Sequence, residues 1–314
     1  MSVKDHSFAR DLAGSAPSGV EPSRREGLST AFFDCHGLTE TGRDRRVNQD
    51  DFLLAPLEPG LPGPACLFAV ADGIGGGPAG DRASGLAVRA LREFMWRTRA
   101  DSDLGRFVDP GDLLRKAVLH GHDEILYDVA ANPDLSGMGS TLTAALVAGP
   151  DLWLAHAGDS RCYLLRGSRL GRLTLDHIVA ERLVEEGILS SDAARQSAWG
   201  RTLWNHLGKT SEPMAPEISR ARLEPGDALL LTTDGITDSL GDHDLEELCL
   251  EQGSAQSMAT EILRAAKETG GRDDMTLVLA RFVPPAGFAS EDGEGRSASS
   301  ESVLQRMTGG AFPP

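Results

Sequence analysis

Two continuous apolar segments of the chain each lead directly into an Asp-Gly pair. The first is Leu67–Ala71, followed by Asp72, and the second lies within ALLLTTDG at residues 228–235 and ends on Asp234. A short apolar run bounded by turn residues is typical of a strand that is buried on both faces. A carboxylate at the end of such a strand is costly to bury unless an opposite charge offsets it. We therefore predict that a cation lies between Asp72 and Asp234.

The remaining hydrophobic pattern predicts further strands and two pairs of helices. Apolar residues recur at helical spacing from Ala83 to Met95, and a second helix begins near Gly111. The second pair is predicted at Asp242–Leu250 and Ser254–Glu268. The predicted strands are Ala31–Cys35, Asp51–Ala55, Cys66–Ala71, Thr141–Ala148, Leu152–Ala157, Arg161–Leu165, Leu170–Leu173, Asp227–Thr233 and Met275–Val283.

The order of these elements indicates the fold class. Strands and helices come in blocks, whereas a doubly wound parallel sheet requires them to alternate. We therefore predict an α+β fold in which antiparallel sheets pack together with helices outside. Residues 28–284 form the predicted folded domain. Residues 1–27 and 285–314 are rich in Ser, Gly and charged residues without periodicity, and we expect both to be disordered.

Composition limits the partners and the compartment. The net charge is −16, which disfavours nucleic acid and anionic membranes as partners. The four cysteines are far apart and form no CxxC pair, as expected of reduced thiols in a cytosolic protein. Residues 1–20 contain no continuous apolar segment, and no run approaches the roughly 18 apolar residues of a membrane helix. We expect a cytoplasmic protein.

The glycine-rich loop after the first apolar segment permits an alternative function. Gly75–Gly80 fits the GxGxxG pattern of dinucleotide-binding oxidoreductases, follows a predicted strand and precedes a helix. However, the next predicted element is another helix, so no βαβ unit forms. No acidic residue ends a following strand about 20 residues later, where the ribose would require one. Asp72 would also face the pyrophosphate with like charge.

Five aspartates lie in turns beside glycine or other polar residues. They are Asp50, Asp72, Asp159, Asp234 and Asp273. Taken singly, each is explained as a turn residue that bonds its own backbone. Taken together, they favour a shared site for hard divalent cations, which prefer carboxylate and carbonyl oxygen ligands.

Seven motifs extend this pattern and occur in the order typical of one family. They are Gly42-x-x-Arg45-x-x-Asn48-Gln49-Asp50; Asp72-Gly73-Ile74-Gly75-Gly76; Gly139-Ser140-Thr141; Gly158-Asp159-Ser160-Arg161; Leu173-Thr174-x-Asp176-His177; Thr233-Asp234-Gly235-Ile236-Thr237-Asp238; and Gly270-Gly271-x-Asp273-Asp274-x-Thr276. Over Thr39–Val283 the chain resembles the metal-dependent serine/threonine phosphatases of the protein phosphatase 2C family in their compact bacterial form. The resemblance implies a central β-sandwich of two antiparallel sheets flanked by helix pairs, in α-β-β-α layers.

The resemblance also implies a set of metal ligands. Asp72 would bridge two Mn²⁺ or Mg²⁺ ions, and Gly73 would offer its carbonyl oxygen to one of them. Asp234 and Asp273 would complete the shell of the other ion. Asp50 would lie nearby and act mostly through water.

The implied reaction is hydrolysis of phosphoserine and phosphothreonine in proteins by direct attack of a metal-bridging hydroxide. Asp159 with Asp234 would hold a weaker third ion, and Arg45 would bind the substrate phosphate. The catalytic residues would thus be Arg45, Asp72 and Asp234. The expected partners are phosphoproteins modified by a serine/threonine kinase of the same cell, and the expected state is a monomer.

Departures from the family pattern leave alternatives open. Gln49 stands where many members have glutamate, and Ile74 where animal relatives carry a histidine proposed as general acid. A catalytically weakened relative that binds phosphoproteins is therefore the alternative function. Residues 178–216 correspond to the variable flap, here called the flap segment. Its Trp199 and Trp204 are interpreted as substrate-selecting residues, although core packing explains them equally well.

Overall fold

Two antiparallel β-sheets pack face to face at the centre of the fold. The computed structural model describes residues 23–30, 32–57, 65–74, 79–102, 109–190, 193–194, 197–209, 213–251 and 253–283. The strands are β1 (Arg24–Ser29), β2 (Phe33–Glu40), β3 (Asp50–Leu57), β4 (Ala65–Ile74), β5 (Gly139–Ser140), β6 (Leu142–Ala148), β7 (Asp151–Ala157), β8 (Arg161–Arg166), β9 (Arg169–Arg172), β10 (Glu217–Arg222), β11 (Ala228–Thr232) and β12 (Met275–Phe282). One sheet has the order β1-β2-β12-β11-β8-β9 and the other β10-β7-β6-β4-β3, with β5 paired to β4.

Helices cover the outer faces of both sheets. They are α1 (Gly80–Ser102), α2 (Pro110–Ala131), α3 (Val179–Glu185), α4 (Asp234–Thr237), α5 (Asp242–Leu250) and α6 (Ala255–Thr269), with short 3₁₀ helices at Pro133–Leu135 and Ala198–Arg201. The side chain of Asp109 accepts a hydrogen bond from the Asp112 amide and caps α2, in which Pro110 is the first residue. This cap explains the predicted start of the second helix. The α+β sandwich is confirmed.

Strand β4 connects two of the three apolar cores. Leu67, Ala69 and Ala71 pack toward α1 and α2, whereas Phe68 and Val70 pack between the two sheets. All five side chains are fully buried, which confirms that both faces of this strand are covered. Burying each large apolar side chain stabilises the fold by about 1.5–3 kcal/mol. The third core lies between the other sheet and helices α5 and α6.

Three strand predictions need correction. Residues 24–27, assigned to a disordered arm, lie in β1, whose side chains are mostly exposed but whose backbone pairs with β2 along its full length. The predicted strand Ala31–Cys35 lies instead at Phe33–Glu40. The edge strand β10 was not predicted, because the sequence EISRAR shows little apolar signal. Edge strands are stabilised largely by backbone pairing, which leaves a weak pattern in the sequence.

The predicted tails fall almost wholly outside the described residues, since these begin at residue 23 and end at residue 283. Within the described helices, none combines the length and the apolar character that crossing a bilayer requires.

Candidate metal centre

Loops and strand ends from both sheets bring the five predicted aspartates to one edge of the sandwich. Asp50 on β3 is the direct cross-strand partner of Asp72 on β4. Asp234 is the first residue of α4, immediately after β11, and Asp159 lies in the turn between β7 and β8. Asp273 precedes β12. The predicted strand before Asp72 is longer than expected, because β4 continues to Ile74 and Asp72 lies within it.

Six of the seven predicted site residues line one cavity of about 410 Å³, which we call the acidic cavity. Its lining comprises Arg45, Gln49, Asp72, Gly73, Ile74, Thr141, Asp159, Arg201, Leu203, His206, Asp234 and Asp273. Asp50 is not part of this lining and instead lies against Asp72 in the neighbouring strand. The structure therefore brings together the residues that the sequence singled out, with Asp50 set back from the cavity.

The backbone around Asp72 is held on both sides. Thr141 Oγ1 accepts a hydrogen bond from the Asp72 amide at 2.9 Å, and the Thr141 amide donates to the Asp72 carbonyl oxygen at 2.9 Å. The Gly73 amide donates to the Gln49 carbonyl oxygen at 3.0 Å. A Cβ atom at Gly73 would overlap the backbone of Gly80 at the start of α1, so only glycine fits here. These contacts fix the position of the Asp72 carboxylate.

Crowding of like charges dominates the electrostatics of the acidic cavity. Loss of hydration, followed by repulsion from Asp50 and Asp234, raises the pKa of Asp72 well above its usual value. Loss of hydration and the charge of Asp273 raise the pKa of Asp234 to about 6. Loss of hydration and the charge of Asp234 raise the pKa of Asp159 to about 7. A cation in this cavity would stabilise the ionised carboxylates.

The donor set fits divalent cations. Asp50 Oδ1 is buried and has no hydrogen-bond partner among the described residues. In the described part of the chain, no three His, Cys, Asp or Glu side chains are close enough together to ligate one ion by themselves. Mg²⁺ is usually bound by one or two carboxylates and keeps several waters, so an incomplete protein shell matches this ion better than a closed zinc-type site. The carboxylates and the Gly73 carbonyl are oxygen ligands suited to Mg²⁺ or Mn²⁺.

Arg45 lies at the entrance of the acidic cavity and is paired with Asp273. Its Nη2 donates to Asp273 Oδ2 at 2.5 Å, and this hydrogen bond raises the pKa of Arg45. The Arg45 side chain is 40% exposed and lines the acidic cavity, so a ligand can approach it there. A guanidinium can bind phosphate oxygens through two parallel hydrogen bonds. The arrangement places a phosphate-binding group beside the carboxylates.

Asp274 fixes the loop that carries Arg45. Its Oδ1 accepts from the Gly42 amide at 2.9 Å and its Oδ2 accepts from the Gln49 amide at 2.8 Å. The residue is only 3% exposed. The sequence places Asp274 next to Asp273, but nothing in the sequence shows that it spans the two ends of this loop. An asparagine would place an NH2 donor where one of these two accepting oxygens lies, so it could accept only one of the two hydrogen bonds in this geometry.

The flap segment contributes residues that the sequence did not indicate. Arg201, Leu203 and His206 line the acidic cavity, whereas Trp199 and Trp204 are not among its lining residues. Trp199 is exposed, and the ring of Trp204 lies 4.7 Å from that of His177. The Trp204 ring therefore packs against His177, and neither tryptophan lines the acidic cavity. No periodicity or spacing signal marks His206.

The dinucleotide alternative is wrong. Strand β4 pairs antiparallel with both β3 and β6. Helix α1 is followed by α2, so the described elements form no βαβ unit at this position. Residues 75–78 of the glycine-rich loop lie outside the described residues.

Known proteins are similar to this chain in sequence and in fold. Residues 40–280 match the family described as Protein phosphatase 2C. The serine/threonine protein phosphatase PstP of Mycobacterium tuberculosis is 36% identical over 241 residues, which are 76% of this chain and 43% of PstP. The chain thus matches less than half the length of that relative. The serine/threonine phosphatase stp of Listeria monocytogenes is 32% identical over 77% of this chain and 92% of its own length.

A solved structure gives the same result for the fold. The catalytic domain of the serine/threonine protein phosphatase PstP in complex with two manganese ions superimposes with a TM-score of 0.66 and 32% identity, covering 80% of this chain and 99% of that domain. That protein binds two metal ions in the fold observed here. From the match over residues 40–280 and these relatives, the chain belongs to the protein phosphatase 2C family of metal-dependent serine/threonine phosphatases.

Proposed function

We propose that the chain hydrolyses phosphoserine and phosphothreonine in proteins with the aid of two divalent cations, Mn²⁺ or Mg²⁺. The observation that supports this proposal most strongly is the convergence of Asp72, Asp234 and Asp273 from both sheets on one cavity beside Arg45. The carboxylate of Asp72 and the carbonyl of Gly73, both on β4, would bind the ions together with Asp234 and Asp273. Asp159 is available for a third ion.

The residues of the acidic cavity would have different roles in phosphoryl transfer. Such ions, when bound, lower the pKa of water and offset charge on the phosphoryl group. Arg45 binds and orients the phosphate, sharing its guanidinium between the phosphate oxygens and Asp273. Thr141 and Gly73 hold the backbone of Asp72 in place, so that its carboxylate needs no rearrangement during the reaction. Asp50 lies opposite Asp72 on the adjacent strand and would act on the ions mostly through water.

The cellular setting is part of the same proposal. We infer a cytoplasmic, monomeric enzyme that opposes a serine/threonine kinase in signalling. Its four cysteines are free and buried, as is usual in a reducing compartment. Its net charge of −16 disfavours nucleic acids and anionic membranes as partners.

A manganese-dependent assay on a phosphothreonine peptide tests the proposed activity. Phosphate release should require Mn²⁺ or Mg²⁺ and stop when EDTA is added. Release that continues in EDTA would contradict the metal-dependent mechanism. Retention of the peptide without hydrolysis, measured by fluorescence anisotropy, would favour the phosphoprotein-binding alternative. Anomalous scattering from manganese-soaked crystals would locate the ions directly.

A further inference from the structure

A second cavity, of about 370 Å³, adjoins the acidic cavity, and we call it the arginine cavity. Its lining comprises Arg43, Arg201, Gly235, Asp238, Ser239, Thr269, Gly270, Arg272 and Asp273. Arg201 and Asp273 line both cavities. The two cavities therefore share part of their walls. Three arginines line the arginine cavity, although the net charge of the chain is −16.

Two of these three guanidinium groups are available to a ligand. Arg201 Nη2 is bonded to Asp238 Oδ2 at 2.8 Å. Arg43 has only Asp44, 3.9 Å away and itself exposed, as an ion-pair partner in the described chain. Arg272 is exposed and has no carboxylate within 4.0 Å among the described residues. The arginine cavity thus keeps positive charge that the described acidic residues do not neutralise.

The backbones of the two available arginines are held at a fixed position relative to that of Arg45. The Arg43 amide donates to the Gly271 carbonyl oxygen at 2.9 Å, and the Asp44 amide donates to the Arg272 carbonyl oxygen at 3.1 Å. A Cβ atom at Gly42 would overlap the backbone of Asp273, so the two loops are in direct contact there. The same pair of loops presents Arg45 and Asp273 to the acidic cavity. The spacing between the two cavities is therefore built into the fold.

We propose that the arginine cavity binds a second phosphoryl group of the substrate, on a residue close in sequence to the phosphorylated residue in the acidic cavity. This inference rests on the proposed phosphatase function and adds a substrate class, namely peptides with two neighbouring phosphorylated residues. A phosphoryl group carries a charge of about −1.5 to −2 and three acceptor oxygens, and guanidinium groups match it with paired donors. A carboxylate carries less charge and is expected to gain less.

Matched peptides provide the test. One series carries phosphothreonine alone, and the other carries a second phosphoserine placed one to four residues away on either side. For the wild-type protein we expect kcat/KM to favour at least one doubly phosphorylated peptide by about five-fold or more over its singly phosphorylated counterpart. A third peptide carries aspartate in place of the second phosphoserine. It shows whether the arginine cavity requires a phosphoryl group or accepts any anion. A preference that aspartate reproduces in full would overturn the phosphoryl assignment.

Two arginine variants from one loop separate the cavity from general charge effects. Arg43→Ala should abolish most of this preference, measured as the ratio of the two kcat/KM values. Arg46→Ala removes an equal charge from an exposed position that lines neither cavity, and it should leave the ratio unchanged. The preference for doubly phosphorylated peptides should also decline as the salt concentration rises from 50 to 300 mM. Added salt shortens the electrostatic screening length toward a few ångströms and so weakens the attraction between the arginines and the second phosphate.

The outcomes distinguish this inference from the proposed function. Hydrolysis of the singly phosphorylated peptide without any preference at any spacing would overturn the second site and leave the phosphatase function intact. Equal loss of preference in Arg43→Ala and Arg46→Ala would also overturn it. If no peptide is hydrolysed, anisotropy with the Asp234→Asn protein decides the question. In that case, equal affinity for singly and doubly phosphorylated peptides would exclude the site.

Discussion

Asp50 and Asp72 occupy directly opposite positions in the antiparallel register of β3 and β4. Like charges placed opposite each other destabilise a sheet. Here the cost is increased because Asp50 Oδ1 is buried without a hydrogen-bond partner in the described structure. We infer that the metal-free fold tolerates a repulsion that bound cations remove, and this inference leads to the first prediction.

Asp72→Asn should raise the thermal stability of the metal-free protein and lower its activity in the presence of metal. In EDTA, we expect a higher Tm than in the wild type, because one of two repelling charges is removed; two such charges 4 Å apart repel by about 1–4 kcal/mol. With Mn²⁺ present, we expect phosphatase activity to fall about 100-fold or more, since a metal ligand is lost. Thermal unfolding with and without Mn²⁺, together with peptide hydrolysis, measures both effects.

Asp51→Asn is the matched control for this experiment. Asp51 follows Asp50 in β3 but pairs with Arg24 Nη1 at 2.7 Å, away from the acidic cavity. This variant should keep its activity and lose a small amount of stability in both conditions. Full activity of Asp72→Asn at saturating Mn²⁺ would show that the assignment of Asp72 as a metal ligand is wrong.

Arg45→Ala should act mainly on substrate binding. The variant removes a charged donor to the phosphate but leaves the carboxylates in place, so we expect KM to rise and kcat/KM to fall about 10- to 100-fold with a smaller change in kcat. Steady-state kinetics on a phosphothreonine peptide measures the two constants. Arg46→Ala, in the same loop, should behave as the wild type. A fall confined to kcat would contradict a binding role for Arg45.

Asp274→Ala should destabilise the loop that carries Arg45. The change leaves the buried amides of Gly42 and Gln49 without their acceptor, at a cost of about 1–3 kcal/mol for each donor. Asp274→Asn retains one acceptor oxygen and should lose about half as much stability. Urea unfolding gives the free energies. Equal stability of the alanine and asparagine variants would mean that the one hydrogen bond retained by asparagine contributes nothing.

Acid should destabilise the protein through His156 on β7. Burial lowers the pKa of this histidine from 6.5 to about 3, with a further contribution from the charge of His177. Between these two values the unfolded chain binds a proton that the folded chain does not. The cost of keeping this imidazole neutral is therefore absent well above pH 6.5, and it lowers the stability as the pH falls toward 3, by up to about 1.4 kcal/mol per pH unit.

The His156→Gln variant isolates this contribution. Urea unfolding at several pH values between 6.5 and 5 should show a shallower loss of stability than in the wild type, by up to about 2 kcal/mol over the interval. His243, an exposed histidine on α5, provides the control, and His243→Gln should leave the slope unchanged. Identical slopes for the wild type and His156→Gln would contradict a buried, neutral imidazole.

The sequence predicted the layers of the fold and the residues of the acidic cavity for different reasons. Buried strands such as β4 leave a continuous apolar run, and the aspartates stand in motifs whose family order indicated a common site. Contacts between distant segments leave no such pattern. The bonds from Asp274 to Gly42 and Gln49, and the approach of His206 to the cavity, depend on tertiary packing alone. The edge strand β1 was missed because backbone pairing needs no apolar side chains.

The burial of both faces of β4 has a consequence for how this fold can diversify. Asp72 lies in an interior strand that is packed on both faces. Its position can therefore change only if the residues of the core change as well. Arg201, whose side chain is 84% exposed, belongs to a surface segment and can change with little effect on that core. Substitutions in that segment can therefore change the lining of the acidic cavity while the Asp72 carboxylate stays in place.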